Sequence, residues 1–350
     1  MFKKHLVALA MVVSACGFGL LAEDCSKIEN EVKAFEAKFK QITADMGDKS
    51  ITKDKYEALK QEYAKVWKQL SSKKAELKKC EEKANQKHKF HYNNAMKLKK
   101  DEDYKGAVEE LKLALKESPD FTEAMEKLAE YSAKLKDEAT VMAYVPKIND
   151  ESKAKALYIL AKELKANDTQ KAIKYYIEAA KYGRQADSYY WVGALYYTKL
   201  TDYNNAISYF EKSLKFEKDA KVYELLGACY MEMKPDKPAD KTVNIEKAIS
   251  YFEKGEAFGP TKNKEYYMLC LRLSQAYNEL GKSASALEMA IKSIQNNSNK
   301  NYGPAHLEKG KALFRMKKYK EAKESLTIAK EDALVSQNAD YWLKEIEKVK

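Results

Sequence analysis

One pattern returns along most of the chain. A small residue is followed four positions later by an apolar or second small one: Ala107/Leu111, Ala139/Ala143, Ala172/Tyr176, Ala206/Phe210, Ala248/Phe252, Ala286/Ala290 and Ala322/Leu326. The alanines stand 32, 33, 34, 42, 38 and 36 residues apart. A step of four sets both members on one helix face. A period in the range of roughly 20–50 residues marks stacked supersecondary units, none of which can bury its apolar face alone. With 12 Gly and 6 Pro in 350 residues, turn-dense β structure is excluded and an all-α chain is expected.

A second signature lies upstream of several alanines. "YYWVGALY" carries Tyr189, Val192, Gly193 and Tyr196, and "YELLGACY" carries Tyr223, Leu226, Gly227 and Tyr230. Pro119 and Pro260 stand eight residues after Leu111 and Phe252. On these residues the stretch from about 89 to 330 resembles the tetratricopeptide repeat family, with Tyr in place of the usual Trp. The resemblance implies some seven units of two antiparallel helices and a closing helix over 338–349. In each unit a small residue on the first helix (Ala95, Ala129, Ala161, Gly193, Gly227, Ser274, Gly310) admits the second helix closely. The array departs from the pattern twice. The second unit has Ala143 for the aromatic and Pro146 inside its second helix. The fifth carries "MKPDKPADK" (Met233–Lys241), which reads as a solvated loop.

Ahead of the repeats, Cys25, Ile28, Val32, Phe35, Phe39, Ile42 and Met46 form a heptad seam, and "GDKSIT" breaks it. A second seam runs through Tyr56, Leu59, Tyr63, Val66, Leu70, Lys73, Leu77 and Cys80. Folded back as an antiparallel hairpin, the facing pairs from Met46–Leu59 to Ile28–Leu77 share an index sum of 105, as do Cys25 and Cys80. Those two cysteines therefore read as a disulfide at the open end. The expected organisation is a leader (1–22), a coiled-coil hairpin (23–87) and an α-solenoid superhelix (88–350).

The first 22 residues have Lys3 and Lys4, an apolar run from Leu6 and small residues at the end, which reads as a secretory signal peptide. Cleavage after Ala22 competes with lipidation of Cys16 in "VSAC". Either route implies export, where disulfides persist, and the second adds a lipid anchor. Removal of Lys3 and Lys4 leaves a net charge of +9 from +11. The lysines alternate with acids along every helix, so the excess reads as solvated faces and not as a nucleic-acid site.

No phosphate loop, dinucleotide fingerprint or zinc-protease motif occurs. His88 and His91 lack a third ligand nearby, so no metal and no cofactor are expected, and no catalysis. Cys229 and Cys270 read as buried thiols, with a second disulfide as the alternative.

The family resemblance implies a concave groove lined by first-helix positions. Carried over, these are Tyr92 and Lys99 in the first unit, Tyr158 and Lys162 in the third, and Tyr190 and Tyr197 in the fourth. Lys221 and Met231 follow in the fifth, Met268, Leu271 and Asn278 in the sixth, and Lys311, Phe314 and Arg315 in the last. Such a groove suits an extended peptide with apolar anchors and acidic flanks. The family's lysine–asparagine clamp for C-terminal carboxylates is not reproduced. The expected function is a non-enzymatic scaffold of the bacterial cell envelope. The alternatives are a lipid-anchored outer-membrane assembly or cell-division factor, and an anion or polysaccharide binder.

Overall fold

Four aspartates start four helices. Asp103, Asp137, Asp168 and Asp202 each accept a hydrogen bond from the backbone N–H three residues on, at 2.9, 3.1, 3.0 and 3.0 Å. Each thereby satisfies one orphan donor of the helix it opens. Four residues beyond each cap lies the small residue that packs on the first helix: Ala107, Val141, Ala172 and Ala206, all at 0% exposure. The first four repeats are indexed from these caps, whereas the second helices that begin after Lys237, Lys282 and Lys318 have, among the described residues, no side-chain cap.

The computed structural model describes residues 2–48, 50–84, 86–235 and 237–349, with side chains from Cys25 onward apart from those at 83, 84 and 238. The described elements are all helical and fall in two compact units, Met1–Leu128 and Ala129–Lys350. The first holds α1 (Phe2–Gly47), α2 (Lys53–Ala84), α3 (Lys87–Lys100) and α4 (Tyr104–Glu117). Helix α5 (Thr122–Lys134) spans the boundary. The second continues with α6 (Glu138–Tyr144), α7 (Asp150–Leu164), α8 (Thr169–Tyr182), α9 (Gln185–Leu195) and α10 (Tyr203–Phe216). It ends with α11 (Ala220–Glu232), α12 (Pro238–Glu256), α13 (Gly259–Lys262), α14 (Tyr266–Glu279), α15 (Ser283–Asn296), α16 (Gly303–Arg315), α17 (Tyr319–Lys330) and α18 (Ser336–Lys348). In the second unit α7/α8, α9/α10, α11/α12, α14/α15 and α16/α17 are the repeat pairs, and α18 closes on α16 and α17.

Small-to-large packing sets how closely the helices of a pair approach. A Cβ added to Gly193 would lie 2.7 Å from the Phe210 ring, and one on Gly310 2.5 Å from Leu326. Gly227 meets Phe252 in the same way. Phe210 and Phe252 are both at 0% exposure, and burial of each stabilises by roughly 1.5–3 kcal/mol.

The second repeat corrects the sequence reading. Ala139 and Ala143 are both exposed, whereas Val141 and Val145 are 0% and 6% exposed. The packing pair is Val141/Val145, because Asp137 caps the helix and the core position falls four residues later. Pro146 does end α6 after seven residues, in a 3₁₀ turn over Val145–Lys147. The insertion of the fifth repeat differs too. Residues from Pro238 join α12, which runs to 19 residues against 14 in α10, so only the first part is a loop.

Turn geometry explains two further irregularities. Glu102, Lys136, Thr201 and Lys317 sit at φ 60°, 60°, 51° and 60° just before the second helix, and Gly281 does so at 73°. The third repeat has no such residue before Asp168 and is one residue short, with 11 residues from Ala161 to Ala172. The fourth is one residue long, with 13 from Gly193 to Ala206, and a π-helical turn over Tyr196–Leu200 absorbs the extra residue.

In the first unit Cys25 and Cys80 are joined as a disulfide with Cα atoms 5.7 Å apart. The Phe39 ring lies 4.7 Å from Tyr63 and 5.4 Å from Trp67. Val32, Ile42, Val66 and Leu70 are buried. Lys73, the polar member of the seam, turns out to Glu31 at 2.7 Å and Glu76 at 3.0 Å. The processing expectations at Ala22 and Cys16 lie outside the described side chains. Among the described residues no helix is long and apolar enough to cross a membrane. Cys229 and Cys270 are free and buried, and burial pushes both thiols up to about 12.

Candidate functional site: the first-helix face

The first helices of the second unit, α7, α9, α11, α14 and α16, carry a row of side chains linked from repeat to repeat. It starts with aromatics. Tyr158 on α7 accepts a hydrogen bond from Trp191 Nε1 on α9 at 2.9 Å, and its ring meets Tyr176 edge-on at 5.2 Å. The Lys165 ammonium stands 3.8 Å from the Trp191 ring centre and the Arg184 guanidinium 5.3 Å from that of Tyr158. Tyr190 packs against Trp191 at 5.3 Å, and burial raises both the Tyr158 and Tyr190 phenols. Lys162 is exposed and, among the described residues, has no carboxylate partner. Tyr190 also lines a cleft of about 280 Å³ with Asp187, Asp219 and Lys221.

The row continues through buried carboxylates. Glu224, 2% exposed, receives Lys221 at 3.2 Å and Arg272 Nε at 3.1 Å. Lys221 also reaches Glu265 at 2.5 Å. Burial works against the Lys221 charge, but these two carboxylates outweigh it and hold its affinity for the proton above normal. Farther on, Asn278 Nδ2 donates to the Glu308 carboxylate at 2.8 Å and to its carbonyl at 3.0 Å. Glu308 is itself paired with Lys311 at 2.8 Å. Arg315 donates to the Asn278 carbonyl and lies 6.0 Å from the Trp342 ring.

The residues expected in a groove therefore divide. Tyr158, Lys162 and Tyr190 present aromatic and cationic groups at the surface of one end. Leu271 at 5% and Asn278 at 3% exposure are interior, covered by the neighbouring repeat. Tyr197 donates to Glu232 at 2.6 Å; burial first, then this bond, raises its phenol. Met231 is half-buried in a cleft of about 270 Å³ with Tyr230 and Ile245, and Met268 receives the Tyr302 hydroxyl at 3.5 Å. Phe314 is packed on Trp342 at 5.2 Å. Lys221, Lys311 and Arg315 are engaged as above. Tyr92 and Lys99 belong to the first unit, where Tyr92 packs on Phe121 at 5.2 Å and Lys99 is exposed.

Arg272, Glu308 and Trp191 are the linking residues that position rules missed. A signal existed: the chain has only three arginines, Arg184, Arg272 and Arg315, and all three join this row. Arg holds a fork-shaped, always-charged donor set where Lys holds a point charge.

This geometry defines an all-α helical-repeat protein of the α-solenoid type. A model of the tetratricopeptide repeat family matches residues 186–219, which span α9 and α10 and include Tyr190 and Tyr197. The C-terminal part of a repeat protein from Cytophaga hutchinsonii superposes with a TM-score of 0.52 at 20% identity, covering 72% of this chain and 99% of that one. A tetratricopeptide protein with an unusual peptide-binding site, YrrB, matches at a TM-score of 0.46 and 18% identity, over 60% of this chain and 99% of its own. A tetratricopeptide repeat protein from Parabacteroides merdae matches at 0.37 and 16%, over 75% and 99%. No curated protein matches the sequence.

Proposed function

We propose that the chain is an exported scaffold of the bacterial cell envelope that binds a protein or peptide segment on the first-helix face of its second unit. The observation that carries this reading is the aromatic stretch of the row on α7 and α9. There Tyr158, Trp191 and Tyr190 form a half-buried aromatic strip beside Lys162, which has no carboxylate partner among the described residues, and the exposed Arg184, which lies 4.0 Å from Asp187. Large rigid rings next to cations are the groups that anchor partners. An extended segment with an apolar anchor and an acidic neighbour fits that end. The far end suits it less, because buried Glu224 and Glu308 already hold the cations there.

The test is photo-crosslinking from position 190 in an envelope extract, with Lys162→Glu as the companion variant. A discrete adduct that Lys162→Glu weakens supports the reading. The same adducts at the same yield from Lys162→Glu, or from a probe at an exposed second-helix site such as Lys215, would overturn it.

A further inference from the structure

We infer that one face of α2 seats on an anionic lipid surface. The inference concerns the first unit and does not rest on the first-helix face of the second. Stepping along α2 at helical spacing, the exposed positions read Lys53, Tyr56, Lys60, Trp67, Lys74 and Lys78, with only the small Ala64 and Ser71 between. The steps of three and four residues keep all of them on one face. Six acids occur in α2; Asp54, Glu62 and Glu76 lie away from this stripe, Glu57 flanks it, and Glu81 and Glu82 follow Lys78 at its C-terminal end. Two carboxylates reach it from the side: Glu57 at 3.8 Å from Lys60, and Glu36 of α1 at 2.6 Å from Lys74. Among the described residues Lys53 and Lys78 have no carboxylate partner.

The aromatic members are bare. Trp67 is 54% and Tyr56 41% exposed, although Trp67 rests one side on Phe39. Core formation does not explain Trp67, since Val66 and Leu70 beside it are already buried, and Tyr56, expected in the seam, is exposed instead. Indole and phenol rings have an apolar body and a polar tip, and they settle at the headgroup level of a bilayer. Lysines between them meet the anionic surface. From Lys53 to Lys78 the stripe runs about 37 Å along one helix. Its members share one face of a single helix, an arrangement suited to a flat surface. Residues 25–84 carry fifteen lysines against eleven acids, which agrees in sign.

The experiment is flotation of the full chain, disulfide intact, with vesicles of phosphatidylcholine alone or with one quarter phosphatidylglycerol. Partition to pure phosphatidylcholine reads out the apolar leader, and the difference between the two vesicles reads out the stripe. The expected result is roughly tenfold tighter binding to the anionic vesicles, weakened by salt. Lys53→Glu with Lys60→Glu should remove that preference, and Trp67→Ser with Tyr56→Ser should weaken it. Lys55→Glu with Lys65→Glu makes the same charge change on the far side of α2 and should leave it intact. Helicity and the melting curve report that each variant is folded. Equal binding to both vesicles, equal losses from the two charge pairs, or tighter binding to a single-stranded oligonucleotide than to the vesicles would overturn the inference.

Discussion

Glu224 on α11 and Arg272 on α14 form an ion pair across two repeats, with Nε 3.1 Å from a carboxylate that is only 2% exposed. Removing one partner of such a pair strands the other away from water. Glu224→Gln should destabilise the second unit by about 2–3 kcal/mol, less than a fully buried pair because Lys221 and Arg272 can turn to solvent. Arg272→Lys should cost about 1 kcal/mol, through loss of the guanidinium fork. Denaturant titration of both variants and of the double variant measures the coupling, and simple additivity would show that the pair does no joint work.

Gly193 faces the Phe210 ring with no room for a methyl group. Gly193→Ala should cost roughly 1–3 kcal/mol by overpacking. Phe210→Leu introduced with it should recover part of that loss, and no recovery would mean that the strain lies elsewhere.

Thr201 holds φ at 51°, in the left-handed region that a β-branched residue adopts at a cost. Thr201→Gly should stabilise by roughly 0.5–1 kcal/mol, the relief of strain less the added chain entropy. The same exchange at Asn167, where the turn has no left-handed residue, should instead destabilise. A rise in melting temperature at 201 and a fall at 167 is the expected pattern.

His306 on α16 is 6% exposed; its Nε2 lies 2.9 Å from the Lys300 carbonyl and its Nδ1 has no hydrogen-bond partner among the described residues. Burial lowers its proton affinity below the ordinary 6.5, and the nearby Lys309 adds to this. The unfolded chain therefore binds the proton first. This contribution to stability is present above about pH 6.5 and is lost as the pH falls through the depressed value. Denaturation midpoints taken down from pH 7.5 should show a decline that His306→Gln abolishes.

Reduction of Cys25–Cys80 opens a covalent loop with a sequence separation of 55. The chain-entropy treatment gives a loss of about 4 kcal/mol for the first unit. Cys229 and Cys270, pushed up to about 12, should stay unlabelled by a thiol reagent at pH 8 until the second unit unfolds. Prompt labelling of either in the native protein would contradict their burial.

These particulars show which parts of the molecule are written in the sequence. The tie between Cys25 and Cys80 was legible because a two-helix seam has a fixed index sum, and the approach of Gly193 to Phe210 because one glycine and one ring repeat together. Val141 and Val145 were missed because a search for alanine overlooked the Asp137 cap that sets their register. Asn278 and Leu271 were expected at the surface because position rules count along one helix. Whether a side chain is covered depends on the next repeat, here on Glu308 reaching back across the interface. Single-residue gains and losses of length are also invisible to motif matching, since only backbone geometry distinguishes a π turn from a longer loop.

The caps that open the second helices carry a consequence for how the chain can change. Because packing is counted from Asp103, Asp137, Asp168 and Asp202, length altered just upstream of a cap does not propagate downstream. The third repeat has lost a residue there and the fourth has gained one, yet Ala172 and Ala206 both remain at 0% exposure. In these four repeats the turn between the two helices of a unit is thus a tolerant editing point. Foreign peptide grafted there should leave the core register of every later repeat untouched, whereas one residue added between a cap and its alanine should not.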